Sequence, residues 1–314
     1  MNNVEEITPI EEPNANKSML DKIKAFMNKD NVVGYVFSSP FIIGFLGFAL
    51  FPMIVSFYYS FTNYNMISQA DWIGFGNFTR LFSDARFLKS VRVTLIYVGV
   101  SVPVKLIFAL FVAYLVTKKI RGVSIYRALF YIPSLIGGSI AVALVWKELF
   151  ARSGLVNTLM TNVGLSPISW FGNQNMAMVP LILISAWQFG SSMIIFAAGL
   201  KDIPTSYYEA AIMDGAKPWQ RFVKITLPLL SPIILFNLIM QTISAFMAFT
   251  QAFVITGGGP NDATNFYALY VYDQAFTFNN MGYASAMSWI MLVIIAFITF
   301  LIFKFSKYWT FYGK

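Results

Sequence analysis

The chain has 314 residues, of which 57% are hydrophobic and 11% charged, and it carries a formal net charge of +8. Because a soluble domain contains about 25% charged residues, this composition indicates a polytopic membrane protein. The sequence contains no Cys and no His, which excludes disulfides, thiol nucleophiles, imidazole bases and the usual zinc or haem ligands. The basic residues flank apolar segments, where they report membrane orientation, so no nucleic-acid partner is expected.

A polar stretch comes first in chain order. Residues 1–30 are predicted to form a cytoplasmic N-terminal tail, without the features of a cleavable signal peptide. Within residues 31–314, apolar runs of about 20 residues or more recur, the length needed to cross a bilayer. We predict an all-α polytopic membrane domain whose six transmembrane helices cover approximately 35–61, 90–117, 125–147, 178–200, 230–256 and 281–305.

The distribution of Lys and Arg predicts the orientation of these spans. If the N-terminus is cytoplasmic, 15 of the 22 basic residues fall in inner segments and six in outer segments. The remaining one, Lys105, lies within the second span. Since cytoplasmic loops carry the excess of Lys and Arg, we expect both termini to be cytoplasmic. The loop between the fourth and fifth spans is then cytoplasmic as well.

That loop, at about residues 201–232, is unusually polar for this chain. Its sequence predicts two helices, the first beginning near Pro204 and ending at Gly215, which suits a left-handed C-cap. Pro218 suits the first turn of the second helix, where Trp219 and Phe222 share an apolar side. Polar and aromatic residues on one exposed helix pair favour a docking surface for another protein. The alternative is a solvated hairpin without a partner.

The same loop resembles the EAA loop of binding-protein-dependent ABC importer permeases. The matching positions are Glu209-Ala210-Ala211, Asp214-Gly215-Ala216, Phe222, Ile225, Leu227-Pro228 and Pro232. Further segments are similar to the carbohydrate-specific, maltose-type branch of that family. They are Ser39-Pro40-Phe41 through Phe61, "WIGFGNFTRLF", and "TGGGPNDATNFYALYVYDQAF" before the sixth span, so that the resemblance extends over nearly all of the chain from Val33 on.

The resemblance implies a type I ABC importer permease in the bacterial cytoplasmic membrane. Its partners would be a second permease subunit, a cytoplasmic ABC ATPase dimer, an extracellular solute-binding protein and a sugar or oligosaccharide substrate. The EAA loop would couple to the ATPase through Glu209, Ala210, Ala211, Asp214 and Gly215, with Glu209 as the polar anchor and Gly215 as the turn. The sequence has no G-x-x-x-x-G-K-[ST] phosphate loop, so ATP and Mg would be bound by the ATPase and no cofactor or metal by this chain.

Polar and aromatic residues in the last three spans are the candidates for the substrate pathway. Sugar recognition uses aromatic faces and amide or hydroxyl groups in a wet cavity. The candidates are Trp187, Gln188, Asn237, Gln241, Gln251 and Trp289. Such residues also fasten membrane helices to one another, which is the alternative for each of them. In the family one of the two permease subunits can hold the sugar alone.

Lys105 is a charged residue at membrane depth and has two interpretations. It faces a translocation cavity or a subunit interface, or else it snorkels to the membrane surface with the help of Pro103 and the tilt of the span, or pairs with a carbonyl. The sequence does not decide between them, and it does not assign Lys105 to the sugar site.

Two outer segments are candidates for contact with a delivered substrate. Residues 154–165 have apolar side chains at helical spacing and are predicted to lie on the outer surface. The segment "TGGGPND" is predicted to be flexible, and the family resemblance implies that Gly257, Gly258, Gly259 and Pro260 contact the solute-binding protein. Ordinary connecting loops are the alternative for both.

Three other functions stay open. A secondary transporter requires ionisable groups within the membrane, and no carboxylate falls near the middle of a predicted span. A polytopic membrane enzyme would need clustered His, Asp or Cys. An ABC importer permease for a solute other than a sugar is the third alternative.

Overall fold

The computed structural model describes residues 30–118 and 122–311, and within these ranges all regular elements are helical. The β-pairing in these ranges is one isolated antiparallel bridge between Thr62 and Trp72. Of the predicted cytoplasmic tail at residues 1–30, residues 1–29 lie outside the described residues. The chain divides into two compact units, Met1–Ser56 and Phe57–Lys314, which are described separately.

The described part of the first unit belongs to helix α1, which continues as far as Tyr59. This helix comprises Asp30–Gly44, a π-helical turn at Phe45–Leu50, and Phe51–Tyr59. Its 27 residues from Val33 to Tyr59 have a mean hydropathy of 2.1, so the helix is long and apolar enough to cross a bilayer. The first predicted span is therefore confirmed as one helix.

The described residues of the second unit contain twelve further helical elements. Helices α2 to α8 are Gly76–Ser83, Ala85–Val116, Val123–Ile136, Ile140–Leu149, Leu155–Asn162, Met178–Trp187 and Gly190–Asp202. Helix α9 is Thr205–Met213, and α10 covers Pro218–Phe246 with a π-helical turn inside it. The last three are the π-helical turn α11 at Ala252–Thr256, α12 at Tyr267–Tyr272 with a further π-helical turn at Asp273–Thr277, and α13 at Met281–Ser306.

Two of the predicted spans are broken helices. Helices α4 and α5 form an angle of 99°, and α7 and α8 an angle of 43°. At the first break Gly137 and Gly138 separate the helices, and the Ser139 hydroxyl caps α5 by accepting from the Val142 N–H at 3.3 Å. The described residues thus contain four continuous helices long enough to span a membrane, or up to six spans when each bent pair is counted as one.

The fifth predicted span, 230–256, corresponds to less continuous helix than expected. Helix α10 ends at Phe246, and the chain turns at Met247 before the separate π-helical turn α11. Helix α10 also starts earlier, at Pro218, so the predicted boundary between loop and span lies inside a helix. Hydrophobic runs report depth in the membrane and do not report where backbone hydrogen bonding is interrupted, which explains both differences.

Helix α3 is at the centre of the second unit and packs against α7, α8 and α10. Small residues such as Ala109 and Ala113 are fully buried along it, next to larger buried side chains such as Met193 and Phe196 of α8. Close approach of helices through small residues is the packing that favours association in a membrane, where apolar burial gives no driving force.

The start of α3 is fixed by a carboxylate. Asp84 accepts from the N–H groups of Arg86 and Phe87 at 2.9 and 3.1 Å, which caps the helix. Its second oxygen accepts from the hydroxyls of Tyr270 and Tyr283 at 2.7 and 2.8 Å. These hydrogen bonds outweigh the effect of burial and lower the pKa of Asp84 below its usual value. Asp84 therefore joins α3 to α12 and α13.

Candidate functional site

The polar hairpin, residues 204–226, consists of α9, a tight turn and the first part of α10. Gly215 has φ +73°, in the left-handed region, at the end of α9. The Ala216 N–H donates to the Ala211 carbonyl at 2.8 Å and the Gly215 N–H to the Ile212 carbonyl at 3.0 Å. This pair of hydrogen bonds is a Schellman motif. The predicted C-cap at Gly215 and the predicted first-turn position of Pro218 are both confirmed.

The hairpin brings the five predicted coupling residues together on its surface. Glu209, Ala210, Asp214 and Gly215 are exposed, and Ala211 is half-buried. Ala211, Asp214 and Gly215 line an open groove together with Ala216, Gln220, Arg221, Lys224 and Ile225. The small side chains leave room for another surface to approach, and the rim of the groove carries charges of both signs.

Other hairpin residues attach it to the membrane helices. The Phe222 ring lies edge-on to Tyr114 near the end of α3, with ring centroids 5.5 Å apart. Within the hairpin, the Tyr208 hydroxyl of α9 lies 2.9 Å from the Thr226 hydroxyl of α10, so the two arms are joined to each other. In contrast, the predicted apolar side is only partly covered, since the Trp219 side chain is 71% exposed. Trp219 thus remains available on the hairpin surface.

At the other end of α3 lies the GGGP loop, residues 257–262. Arg86 of α3 donates to both carboxylate oxygens of Asp262, at 2.8 and 3.2 Å, and Lys89 donates to the Asn261 carbonyl at 2.5 Å. The hydrogen bond from Arg86 lowers the pKa of Asp262 below its usual value. A Cβ at Gly258 would lie 3.4 Å from the Asn265 backbone. These contacts tie the loop to α3, and its predicted flexibility stays a prediction.

The four residues predicted to contact a binding protein differ in exposure. Gly257 is exposed, Gly259 and Pro260 are half-buried, and Gly258 is buried. The Thr264 hydroxyl donates to the Gly259 carbonyl at 2.7 Å, which ties the loop to the segment that follows it. Part of the loop can therefore meet another protein, while the rest serves the internal structure.

A polar cavity of about 220 Å³ lies where the two broken spans meet α3 and α10. The Gln188 side chain, at the break between α7 and α8, donates to the Gly137 carbonyl at 3.0 Å. Gln251 donates to the same carbonyl at 3.3 Å. The breaks thus expose backbone groups that glutamine amides satisfy. The cavity is lined by Tyr97, Val102, Lys105, Gly138, Ser185, Gln188, Gln241, Ser244, Ala245, Met247, Ala248, Phe249, Thr250 and Gln251.

Three of the six predicted pathway residues line this cavity. They are Gln188, Gln241 and Gln251, which come from three different segments of the chain.

The other three pathway candidates lie elsewhere. Trp187 packs on Trp146 with ring centroids 5.8 Å apart, and Trp289 lies edge-on to Phe57 at 4.9 Å. Asn237 is fully buried and donates to the Ile233 carbonyl of its own helix at 3.1 Å. The two tryptophans thus make packing contacts between helices, and Asn237 is hydrogen-bonded within α10.

Several cavity residues were not among the predicted pathway residues. Tyr97 and Ser185 carry no signal in the sequence, because one aromatic or hydroxyl residue among so many in apolar spans is unremarkable. The charge of Lys105 makes it noticeable in the sequence, but the sequence does not predict which neighbours its side chain faces. The structure places it on the cavity wall.

Comparisons with known proteins identify the relatives of this chain. Residues 72–308 match the model of the family described as "Binding-protein-dependent transport system inner membrane component". The chain is 53% identical over 290 residues to the probable ABC transporter permease protein YesP of Bacillus subtilis, covering 91% of this chain and 94% of that one. It is 33% identical to the multiple sugar-binding transport system permease protein MsmF of Streptococcus mutans, covering 83% and 90%.

A solved structure has a similar fold. It is the crystal structure of a bacterial ABC transporter involved in the import of the acidic polysaccharide alginate, with a TM-score of 0.78 and 23% identity, covering 91% of this chain and 98% of that one. The match of the family model over most of the chain, and the 53% identity to a permease, identify the family. The chain belongs to the binding-protein-dependent transport system inner membrane components, the permease subunits of ABC importers.

Proposed function

We propose that this permease is one half of the translocation pathway of an ATP-driven importer of sugars or oligosaccharides in the bacterial cytoplasmic membrane. It pairs with a second permease subunit, receives substrate from an extracellular solute-binding protein and is driven by a cytoplasmic ABC ATPase dimer. Its six spans place both termini in the cytoplasm. The polar hairpin docks on the ATPase, which binds the ATP and Mg.

The observation that carries this proposal is the continuity of α10. One helix of 29 residues, Pro218–Phe246, includes both the second arm of the polar hairpin and the cavity residue Gln241. At 1.5 Å per residue, Gln241 lies about 35 Å from Pro218 along the helix axis. No flexible linker separates them, so a displacement of the hairpin is transmitted to the cavity wall.

The two ends of α3 support the proposed orientation. Tyr114 near its C-terminal end contacts the polar hairpin, while Arg86 at its N-terminal end binds the GGGP loop. These residues are about 42 Å apart along the helix, more than the thickness of the hydrocarbon core of about 30 Å. The Phe311 N–H donates to the Ser231 hydroxyl near the start of the span in α10, so the end of the described chain lies on the hairpin side.

Sugar as the substrate is supported by the cavity and by the relatives. Three glutamine amides, the Tyr97 hydroxyl and the hydroxyls of Ser185 and Ser244 offer donors and acceptors for sugar hydroxyl groups. The trehalose/maltose transport system permease protein MalF of Thermococcus litoralis, 31% identical over 279 residues, is named for such a substrate. The cavity volume of about 220 Å³ is below the 300 Å³ or more of ordinary ligand pockets, as expected if the second permease supplies another wall.

Replacement of Glu209 tests the docking role. In the importer reconstituted in lipid vesicles, Glu209→Ala should leave assembly intact but lower sugar-dependent ATP hydrolysis and uptake at least tenfold. The reason is that this exposed carboxylate on α9 is the proposed polar anchor to the ATPase. Glu148→Ala is the matched control, because Glu148 lies at the end of α5, away from the hairpin. Normal uptake by the Glu209 variant would refute docking through this residue.

A further inference from the structure

Lys105 is a cation on the wall of the cavity, about two thirds of the way along α3. Along α3 it lies about 30 Å from Ala85 and about 17 Å from Val116, at 1.5 Å per residue. The four-carbon stem of lysine covers neither distance, so the ammonium group does not reach either end of α3. The side chain lines the cavity, where water or a bound solute can solvate it.

The cavity offers this cation no carboxylate. Two of the residues that line it are ionisable, Lys105 and Tyr97. The other lining residues have amide, hydroxyl or apolar side chains, or are glycine. Within residues 30–118 and 122–311 the ion pair found is Arg86–Asp262, at the far end of α3. A lysine at the centre of a membrane helix costs about 2.5–3.5 kcal/mol unless its charge is compensated. The cavity is thus electrostatically complementary to an anion.

The groups around Lys105 define what kind of anion fits. Gln188, Gln241 and Gln251 supply neutral donors and acceptors on the same cavity wall, which suit hydroxyl groups. Gln188 and Gln251 each donate one hydrogen bond to the Gly137 carbonyl, and an inorganic anion would use neither their amide oxygens nor the Gln241 amide. A molecule with many hydroxyls and a carboxylate uses the amides and the ammonium group together.

Building on the proposed function, we infer that the transported saccharide is acidic, and that a uronate carboxylate pairs with Lys105 while its hydroxyls bind the three glutamines. The assignment makes Lys105 a specificity-determining residue of the permease, separate from the selectivity of the binding protein.

The test uses the whole importer with its own binding protein, reconstituted in lipid vesicles. ATP hydrolysis and uptake are measured with oligomers of galacturonate, mannuronate and guluronate, with the methyl esters of the same oligomers, and with maltotriose. The esters keep the ring hydroxyls and remove the charge. We expect acidic oligomers to stimulate ATP hydrolysis, and Lys105→Met to raise their half-saturating concentration at least tenfold. Lys105→Arg, which keeps the charge, should retain most of the response.

Two controls keep the result interpretable. Lys304→Met removes an exposed lysine from α13, outside the cavity, and should change nothing. The binding protein is the same in all variants, so a change caused by Lys105→Met arises in the permease. If Lys105→Met does not assemble, Lys105→Gln and the Lys105→Arg variant are compared in its place, and loss of the acidic preference in the Gln variant alone supports the inference.

Three results would overturn the inference. In the first, neutral saccharides drive the importer and acidic ones do not. In the second, Lys105→Met and wild type respond identically to acidic oligomers. In the third, the variant loses neutral and acidic transport equally, which assigns Lys105 to pairing with the second permease. If no saccharide of either kind stimulates ATP hydrolysis, the proposed sugar function itself fails, and this outcome is distinct from the other three.

Discussion

Gly215 shows how a single backbone conformation shapes the exposed hairpin. Its φ of +73° is one that residues with a Cβ adopt only at a cost of about 1–2 kcal/mol. No atom lies within 4 Å of the position that a Cβ would occupy, so the requirement for glycine at this position comes from the backbone and not from crowding. The resemblance in the sequence and the geometry agree on this residue because a helix C-cap is a local feature.

Replacing Gly215 and Gly164 with alanine, one at a time, distinguishes the effect of backbone strain at a helix end from an effect on ATPase docking. Gly164, with φ +81° and an equally open Cβ position, ends α6 in the same hydrogen-bond pattern. We expect both alanine variants to destabilise their helix ends by about 1 kcal/mol. Only Gly215→Ala should lower the apparent affinity for the ATPase, by about fivefold, measured by titrating the purified ATPase onto the permeases. Equal effects of the two variants on ATPase binding would contradict a docking role for the hairpin.

The glutamines illustrate how far the residue type alone identifies a cavity residue in the sequence. Gln188, Gln241 and Gln251 are uncommon in apolar spans and therefore stand out in the sequence. Asn237 stands out for the same reason, yet it is buried and bonded within α10. Polarity in a span identifies a residue that needs a partner, but the partner can be a backbone carbonyl or a substrate, and only packing decides between them.

At the scale of elements, the two broken spans account for the position of the cavity. The bends at Gly137 and Gln188 meet each other, and Gly190 lies against the backbone of α4. A Cβ at Gly190 would overlap the Phe130 carbonyl oxygen and lie 2.7 Å from Tyr131 Cα. The breaks leave polar backbone groups without helical partners. Close contact between the two bends brings these groups together beside the cavity.

This contact predicts that Gly190→Ala is disruptive. Because the new methyl group would meet backbone atoms that cannot rotate away, we expect a loss of about 2–3 kcal/mol in the free energy of unfolding. Gly99→Ala is the control, since Gly99 lies inside α3 with nothing within 4 Å, and alanine there should be neutral or stabilising by up to about 1 kcal/mol. Thermal unfolding of the purified complex measures both, and a Gly190 variant as stable as wild type would show that the bends can separate.

At the scale of the whole molecule, the polar hairpin and the GGGP loop lie at opposite ends of α3. Our proposal requires that the bilayer separates them. The chain has no Cys, so single cysteines can be introduced without background labelling of this subunit. Met213, 87% exposed on the hairpin, and Ser83, exposed beside Asp84, are suitable positions at the two ends.

The two cysteine variants should react from opposite sides of the membrane. A membrane-impermeant maleimide should label Ser83→Cys in right-side-out vesicles and Met213→Cys in inverted vesicles, as followed by the mass of this chain on a gel. The comparison controls for vesicle integrity, because each variant serves as the unlabelled reference for the other. Labelling of both variants from the same side would contradict the proposed orientation and, with it, access of the hairpin to a cytoplasmic ATPase.

The sequence by itself determined the membrane class, the approximate position of the hydrophobic runs, the C-cap at Gly215 and the family. These features are encoded locally, in hydropathy, in turn-forming residues and in a motif of contiguous positions. Tertiary structure alone decided where the spans break, that the GGGP loop is held by Arg86, and that Lys105 faces the cavity. Each of these depends on contacts between residues far apart in the chain, such as Arg86 with Asp262 or Gln188 with Gly137, and hydropathy carries no information about such pairs.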